Sequence, residues 1–150
     1  MTADQIRQIL ELQPHPEGGF YREIHRGACT SIYFLITRDS FSSMHRVTKD
    51  EVFSFHLGDP VEQVRLHPEG RGERIVIGTD LAAGMRPQAI VPAGVWQGAR
   101  LLPGGLRGWA LLGCTVAPAF EFSDFELGDR ASLLSAYPAF RDDILRLTRE

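Results

Sequence analysis

Two cysteines in 150 residues are too few for a disulfide framework, and Cys29 and Cys114 share neither a CxxC pair nor a zinc-ligand spacing. Cys114, within the apolar segment 109–116, reads as a small buried hydrophobe. Long hydrophobic runs are also missing. The longest, Ile32 to Ile36, is far too short to span a bilayer, and the opening MTADQIRQILELQ is charged and lacks the apolar centre of a secretory signal. No membrane partner is expected, and a cytoplasmic location is. Charge of one sign is absent too. A net charge of -3 and a pI near 5.9 leave no electrostatic footprint for nucleic acid, and Arg38, Arg46, Arg71 and Arg74 read as scattered, solvated charges. The chain carries no phosphate loop, dinucleotide fingerprint, serine elbow or HExxH motif.

What is present is ordinary globular composition, 43% apolar and 23% charged. A chain of this length buries roughly two-thirds of its unfolded surface, so residues 1–150 are expected to form one domain. Thr2 and Gln5 make a capping box, and Ile6, Ile9 and Leu10 set one apolar stripe, predicting a helix within 1–13 that Pro14 stops. Short strand candidates follow near 20–25, 31–36, 43–47, 51–57, 61–66, 73–78, 88–92, 95–102, 108–116 and 120–127. Strands of this length, divided by Gly, Pro and Asp clusters, argue for an antiparallel sandwich or jelly roll over 20–127. Two short helices are predicted within 129–147, split by Pro138. HPEG occurs at 15–18 and again at 67–70; both copies read as turn chemistry, with His67 exposed at a hairpin tip.

The informative stretch is FSSMHRVTKDEVFSFHLGDP, where His45 lies on one strand and Glu51 opens the next after a polar turn. About forty residues later VPAGVWQGAR turns into a strand carrying Gln97. Period-2 alternation puts Glu51, Phe53 and Phe55 on one face and sends His56 the other way. An inward His45 and Glu51 would share an apolar pocket with Val47 and these phenylalanines, the usual form of a small-molecule site. Gln97 faces inward by the same parity. Trp96 faces outward, into a second core layer or a subunit contact, so a homodimer is expected. His45, Glu51 and a Gln97 amide oxygen form an incomplete ligand set that would hold a divalent transition metal weakly.

These residues resemble the cupin superfamily, whose motifs read G-x5-H-x-H-x3-4-E-x6-G and G-x5-P-x-G-x2-H-x3-N. Glu51, Gly58 and His45 match the first motif and Pro92-x-Gly94 the second, while Val47, Gln97 and Leu101 stand where two further histidines and the asparagine would be. HPEGGFYREIHR, TSIYFLI and GCTVAPAFEFSDFEL extend the similarity to a small RmlC-like subgroup known as a domain-of-unknown-function family. The resemblance implies a mainly β, double-stranded antiparallel β-helix. Some RmlC-like cupins are metal-free sugar epimerases with a histidine base and a tyrosine acid. By that likeness His45 would be the base, Glu51 its orienting partner and Tyr21 or Tyr33 the acid; Tyr21 is taken as the catalytic candidate, and Phe53, Phe55, Gln97 and Tyr33 as pocket residues that bind substrate. A non-catalytic metabolite-binding module and a structural oligomer with a vestigial pocket are the alternatives.

Overall fold

The computed structural model describes residues 1–149. The strands are β1 (Gln13–Pro14), β2 (Phe20–Arg26), β3 (Thr30–Thr37), β4 (Ser42–Val47), β5 (Glu51–Gly58), β6 (Val61–Leu66), β7 (Gly72–Ile77), β8 (Gln88–Val91), β9 (Trp96–Leu101), β10 (Trp109–Val116) and β11 (Phe125–Leu127). The helices are α1 (Ala3–Ile9), α2 (Arg130–Ala136) and α3 (Arg141–Arg146). Among the described residues the strands pair antiparallel throughout, in one sheet of order β1-β2-β3-β10-β5-β8 and a second of order β11-β4-β9-β6-β7. This is the expected jelly roll.

Alternation divides the apolar side chains into three layers. Phe34, Ile36, Phe53, Leu112, Val61 and Ile77 meet between the sheets. Leu35, Trp109 and Leu111 point out of the first sheet and are covered by Ile6 and Leu12. Met44, Val64 and Leu66 point out of the second, under Leu133, Tyr137, Ile144 and Leu147 of the C-terminal helices. Burying one such side chain contributes about 1.5 to 3 kcal/mol. Trp96 joins this last layer, with the Arg46 guanidinium 4.5 Å above its ring, so it serves a core layer and lends no support to a subunit contact. Gly58 closes β5 at φ 104°, where a Cβ would collide with the Trp109 carbonyl; any other residue would be both strained and obstructed.

Three expectations need correction. The N-terminal helix is shorter than 1–13: Thr2 and Gln5 cap it as expected, but it ends at Ile9, and Gln13–Pro14 pairs with β2. The 120–127 candidate is a 3-10 turn at Phe122–Asp124 followed by the short β11. Asp124 captures the Glu121 N–H, the Thr48 hydroxyl and the Lys49 ammonium there, an alternative to a strand ladder. His67 is not an exposed bystander. It is buried, its Nε2 lies 3.0 Å from Glu73, and its carbonyl accepts the Tyr137 hydroxyl at 2.8 Å. The C-terminal helices cover this hairpin, which local turn chemistry could not reveal.

Candidate functional site

His45 and Gln97 stand side by side because β4 and β9 pair in that register, and β6 extends the row with Arg65. Glu51 sits across the barrel, opening β5 of the other sheet. Gln97 bridges the gap: its Nε2 donates to Glu51 Oε1 at 2.8 Å. Behind Gln97 the polarity continues in one sense. Arg65 Nε donates to Gln63 Oε1 at 2.9 Å, and Gln63 Nε2 donates to Gln97 Oε1 at 3.5 Å. Arginine has no acceptor, so it turns the Gln63 oxygen toward itself, and Gln63 in turn fixes which end of Gln97 meets Glu51.

His45 is fixed from both sides. Its Nε2 lies 2.8 Å from Glu17 Oε2 and its Nδ1 2.7 Å from the Ser43 carbonyl. Both neighbours only accept hydrogen bonds, so both ring nitrogens carry protons and the ring is an imidazolium. Burial by itself would lower its pKa; the Glu17 charge and hydrogen bond, then Glu51 and the Ser43 carbonyl, carry it up to about 9. Burial pushes Glu17 up, but His45 outweighs it and holds Glu17 below the usual carboxylate range. Glu51 goes the other way. Burial raises it to about 7, with Glu17 adding to the rise while His45 and the Gln97 amide oppose it.

Glu17 comes from the first HPEG segment. Its N–H donates to His15 Nδ1 at 3.1 Å, and Gly18 follows at φ 101°, where a side chain would strike the Phe41 carbonyl. The Glu17 carbonyl is held by the Ser43 N–H at 2.7 Å and by Arg149 Nη1 at 2.9 Å; Arg149 also donates to the Ser43 hydroxyl and the Phe41 carbonyl. The bond from the Glu17 N–H assigns the His15 proton to Nε2. Burial lowers the His15 pKa, with Glu17 opposing and His45 adding, so this second imidazole is neutral at pH 7. Its ring meets the Tyr21 ring edge-on at 4.6 Å.

A cavity of about 320 Å³ opens beside these groups. Glu51, Glu17, His15 and Tyr21 supply its polar wall, and Ile32, Val47, Cys114 and Val116 its apolar wall. Phe120, Phe122 and Phe125 border the opening, and Phe125 stacks on His45 at 5.3 Å. Arg26 ties β2 to this aromatic segment through Glu121 at 2.9 Å and the Phe120 carbonyl at 2.8 Å. Arg22 also reaches the cavity, paired with Glu11 at 3.2 Å.

The structure thus brings together His45, Glu51, Gln97 and Tyr21. Phe53 and Phe55 belong to the apolar layer between the sheets and are not on the cavity surface. Tyr33 does not line the cavity at all: Ile32 and Phe34 take the inward positions of β3, leaving Tyr33 outside against the α1 layer, 6.3 Å from the His56 ring. Cys114 is buried, and burial pushes its thiol far up, away from thiolate chemistry.

The residues present do not fit a metal. Both His45 nitrogens are committed as donors, Gln97 presents its amide nitrogen to Glu51, and among the described residues no group of three His, Cys, Asp or Glu side chains is arranged to hold an ion. Sequence reasoning missed His15 and Glu17. They lie in a loop, where alternation gives no side-chain direction; the available signal was the acid two residues after a histidine and just before a Gly-Gly step into the strand of Tyr21.

Known proteins share this architecture. A hypothetical protein from Leishmania major superposes with a TM-score of 0.94 at 31% identity, covering 100% of both chains. Protein SO0799 from Shewanella oneidensis gives 0.93 at 39% identity, covering 99% of this chain and 98% of that one. The uncharacterized protein YML079W of Saccharomyces cerevisiae is 26% identical over 148 residues, 82% of this chain and 73% of the yeast protein. Residues 4–128 match the family described as Cupin superfamily (DUF985). With this barrel and that match over most of its length, the chain belongs to the DUF985 family of the cupin superfamily.

Proposed function

We propose that the barrel cavity binds a small polar metabolite and moves a proton on it, in an isomerase- or epimerase-type reaction at a carbon next to a carbonyl. The observation that carries this reading is Glu51, a half-buried carboxyl on the cavity wall whose pKa of about 7 leaves it half protonated at neutral pH. Such a group can take a proton and return it without a large energetic penalty in either direction. The sequence suggested His45 as the base. A ring that is already protonated at neutral pH cannot do that, and in this reading His45 is instead the cation that keeps Glu17 ionised.

Removing the C–H proton to Glu51 leaves the electron pair delocalised onto the carbonyl oxygen. The Tyr21 hydroxyl and His15 Nε2–H have no protein acceptor among the described residues, so both are free to donate to that oxygen. Returning the proton to the opposite face, or to the neighbouring carbon, completes the reaction without redox change.

Incubation in D2O with a panel of keto acids and reducing sugars, followed by NMR of each compound, tests the proposal. One class should lose a C–H signal with the native protein, and Glu51→Gln should slow that exchange by about 10²-fold or more while binding persists. Binding without exchange would make the protein a metabolite-binding module, and exchange indifferent to Glu51→Gln would remove the carboxyl from the account.

A further inference from the structure

A second cavity, of about 400 Å³, lies away from the polar wall just described, between the end of β3, the loop after β9 and the last turn of α3. Three arginines line it, Arg38, Arg100 and Arg146. The chain as a whole carries a net charge of -3, so three guanidinium groups in one concavity stand against the overall charge balance.

Two acids nearby, Asp59 and Glu62, offset part of this charge and leave the three guanidinium groups in excess. Asp59 lines the same cavity, but it is buried and its two oxygens accept the backbone N–H groups of Arg107 and Gly108 at 3.1 and 2.7 Å. Those bonds fold the loop after β9 onto the sheet, with Gly105 packed so closely on the Asp59 carboxylate that a Cβ there would collide with it. Glu62 engages Arg100 through one oxygen, which accepts from both Nε and Nη2 at 3.2 and 3.1 Å and leaves Nη1 unused. Arg38 is held in place by donating to the Gly105 carbonyl at 2.9 Å, with its guanidinium against Gly108. Arg146 has no partner among the described residues, and its side chain is exposed.

We propose that this cavity is a second ligand site, independent of the barrel, that takes the phosphoryl group of a small molecule. Two of its cations are pre-positioned by the fold and the third is free to close on a ligand. Several guanidinium forks around one opening suit an anion that offers several oxygens in different directions, which a phosphoryl group does and a single carboxylate does not. The volume accommodates the anion together with a modest organic body.

Calorimetric titration of the full chain with inorganic phosphate and with pyrophosphate, at low ionic strength, tests the site. Saturable binding is expected, with amide shifts in NMR at Gly104 and Gly105 and none at Glu51. Arg146→Gln should weaken it at least tenfold. Because Arg146 is exposed and unpaired, the variant should fold as the native chain does, which its melting curve will show. Arg141→Gln, on the same helix but outside the cavity, should leave the affinity unchanged. Absence of saturable binding, equal affinity in Arg146→Gln, or shifts centred on the barrel cavity would overturn the site. Malonate binding as tightly as phosphate would overturn the phosphoryl assignment.

Discussion

Glu17→Ala is expected to lower the unfolding free energy by about 3 to 5 kcal/mol, the usual result of stranding one member of a buried ion pair. His45 would keep its place behind Phe125 and lose the carboxylate at 2.8 Å that stabilises its charge. Burial would then dominate and drive the ring below the ordinary histidine range. NMR titration of the ring should therefore move from about 9 in the native protein to a neutral imidazole at pH 7 in the variant. Glu17→Gln keeps an oxygen acceptor without the charge and should fall between the two. The double variant Glu17→Gln/His45→Gln should recover much of the loss, because the penalty belongs to the unpaired charge. A loss under about 1 kcal/mol in Glu17→Ala would show that the pair is not the ionic lock described here.

The second large effect is a fall in stability as pH rises from about 5 to 9. His45 has a folded pKa of about 9 against 6.5 when unfolded, so its contribution is complete below 6.5 and lost as pH climbs through 9. Glu51 has a folded pKa of about 7 against 4.5; it favours the fold while protonated, and that advantage is lost as pH rises through 7. Each step is on the order of 3 kcal/mol, at roughly 1.4 kcal/mol per pH unit. Glu17 has the opposite sign, since its depressed pKa contributes above 4.5 and is lost as pH falls. Maximal stability should therefore lie at mildly acidic pH. Urea midpoints at pH 5, 7 and 9 will show the decline, and Glu51→Gln should flatten the limb between 5 and 7 while leaving the limb between 7 and 9. A native protein equally stable at pH 5 and 9 would contradict both assignments.

Much of the barrel was legible because strands advertise themselves by alternation and by the Gly, Pro and Asp clusters between them. Nine of the ten strand candidates coincide with observed strands to within a residue or two, and the tenth failed at Asp124, whose side chain replaces ladder bonds with local ones. His45, Glu51 and Gln97 could be turned toward the barrel interior because each sits in a strand, where period 2 fixes direction. Loop residues have no such rule. Glu17 looked like turn chemistry, yet it decides the protonation of His45. That misplacement propagated: without Glu17, His45 reads as the base and Glu51 as its helper, whereas the pair of carboxylates around one imidazole reverses the roles. Tyr33 failed for a simpler reason, since both faces of β3 are apolar enough that composition does not say which is inside.

Arg149 grips the Glu17 carbonyl across 132 residues of sequence. During synthesis the strands of both sheets leave the ribosome well before that arginine does, and N-terminal parts of a chain begin to fold first. The barrel can therefore pair while the loop that carries Glu17 is held by the Ser43 N–H and by His45 but not yet by Arg149, and the clamp on that loop is complete only after Arg149 has been made. A released chain lacking that residue would keep the jelly roll and the Glu17–His45 pair but lose the outer clamp on their loop, so damage to the tail would be felt at the pocket rather than in the sheets.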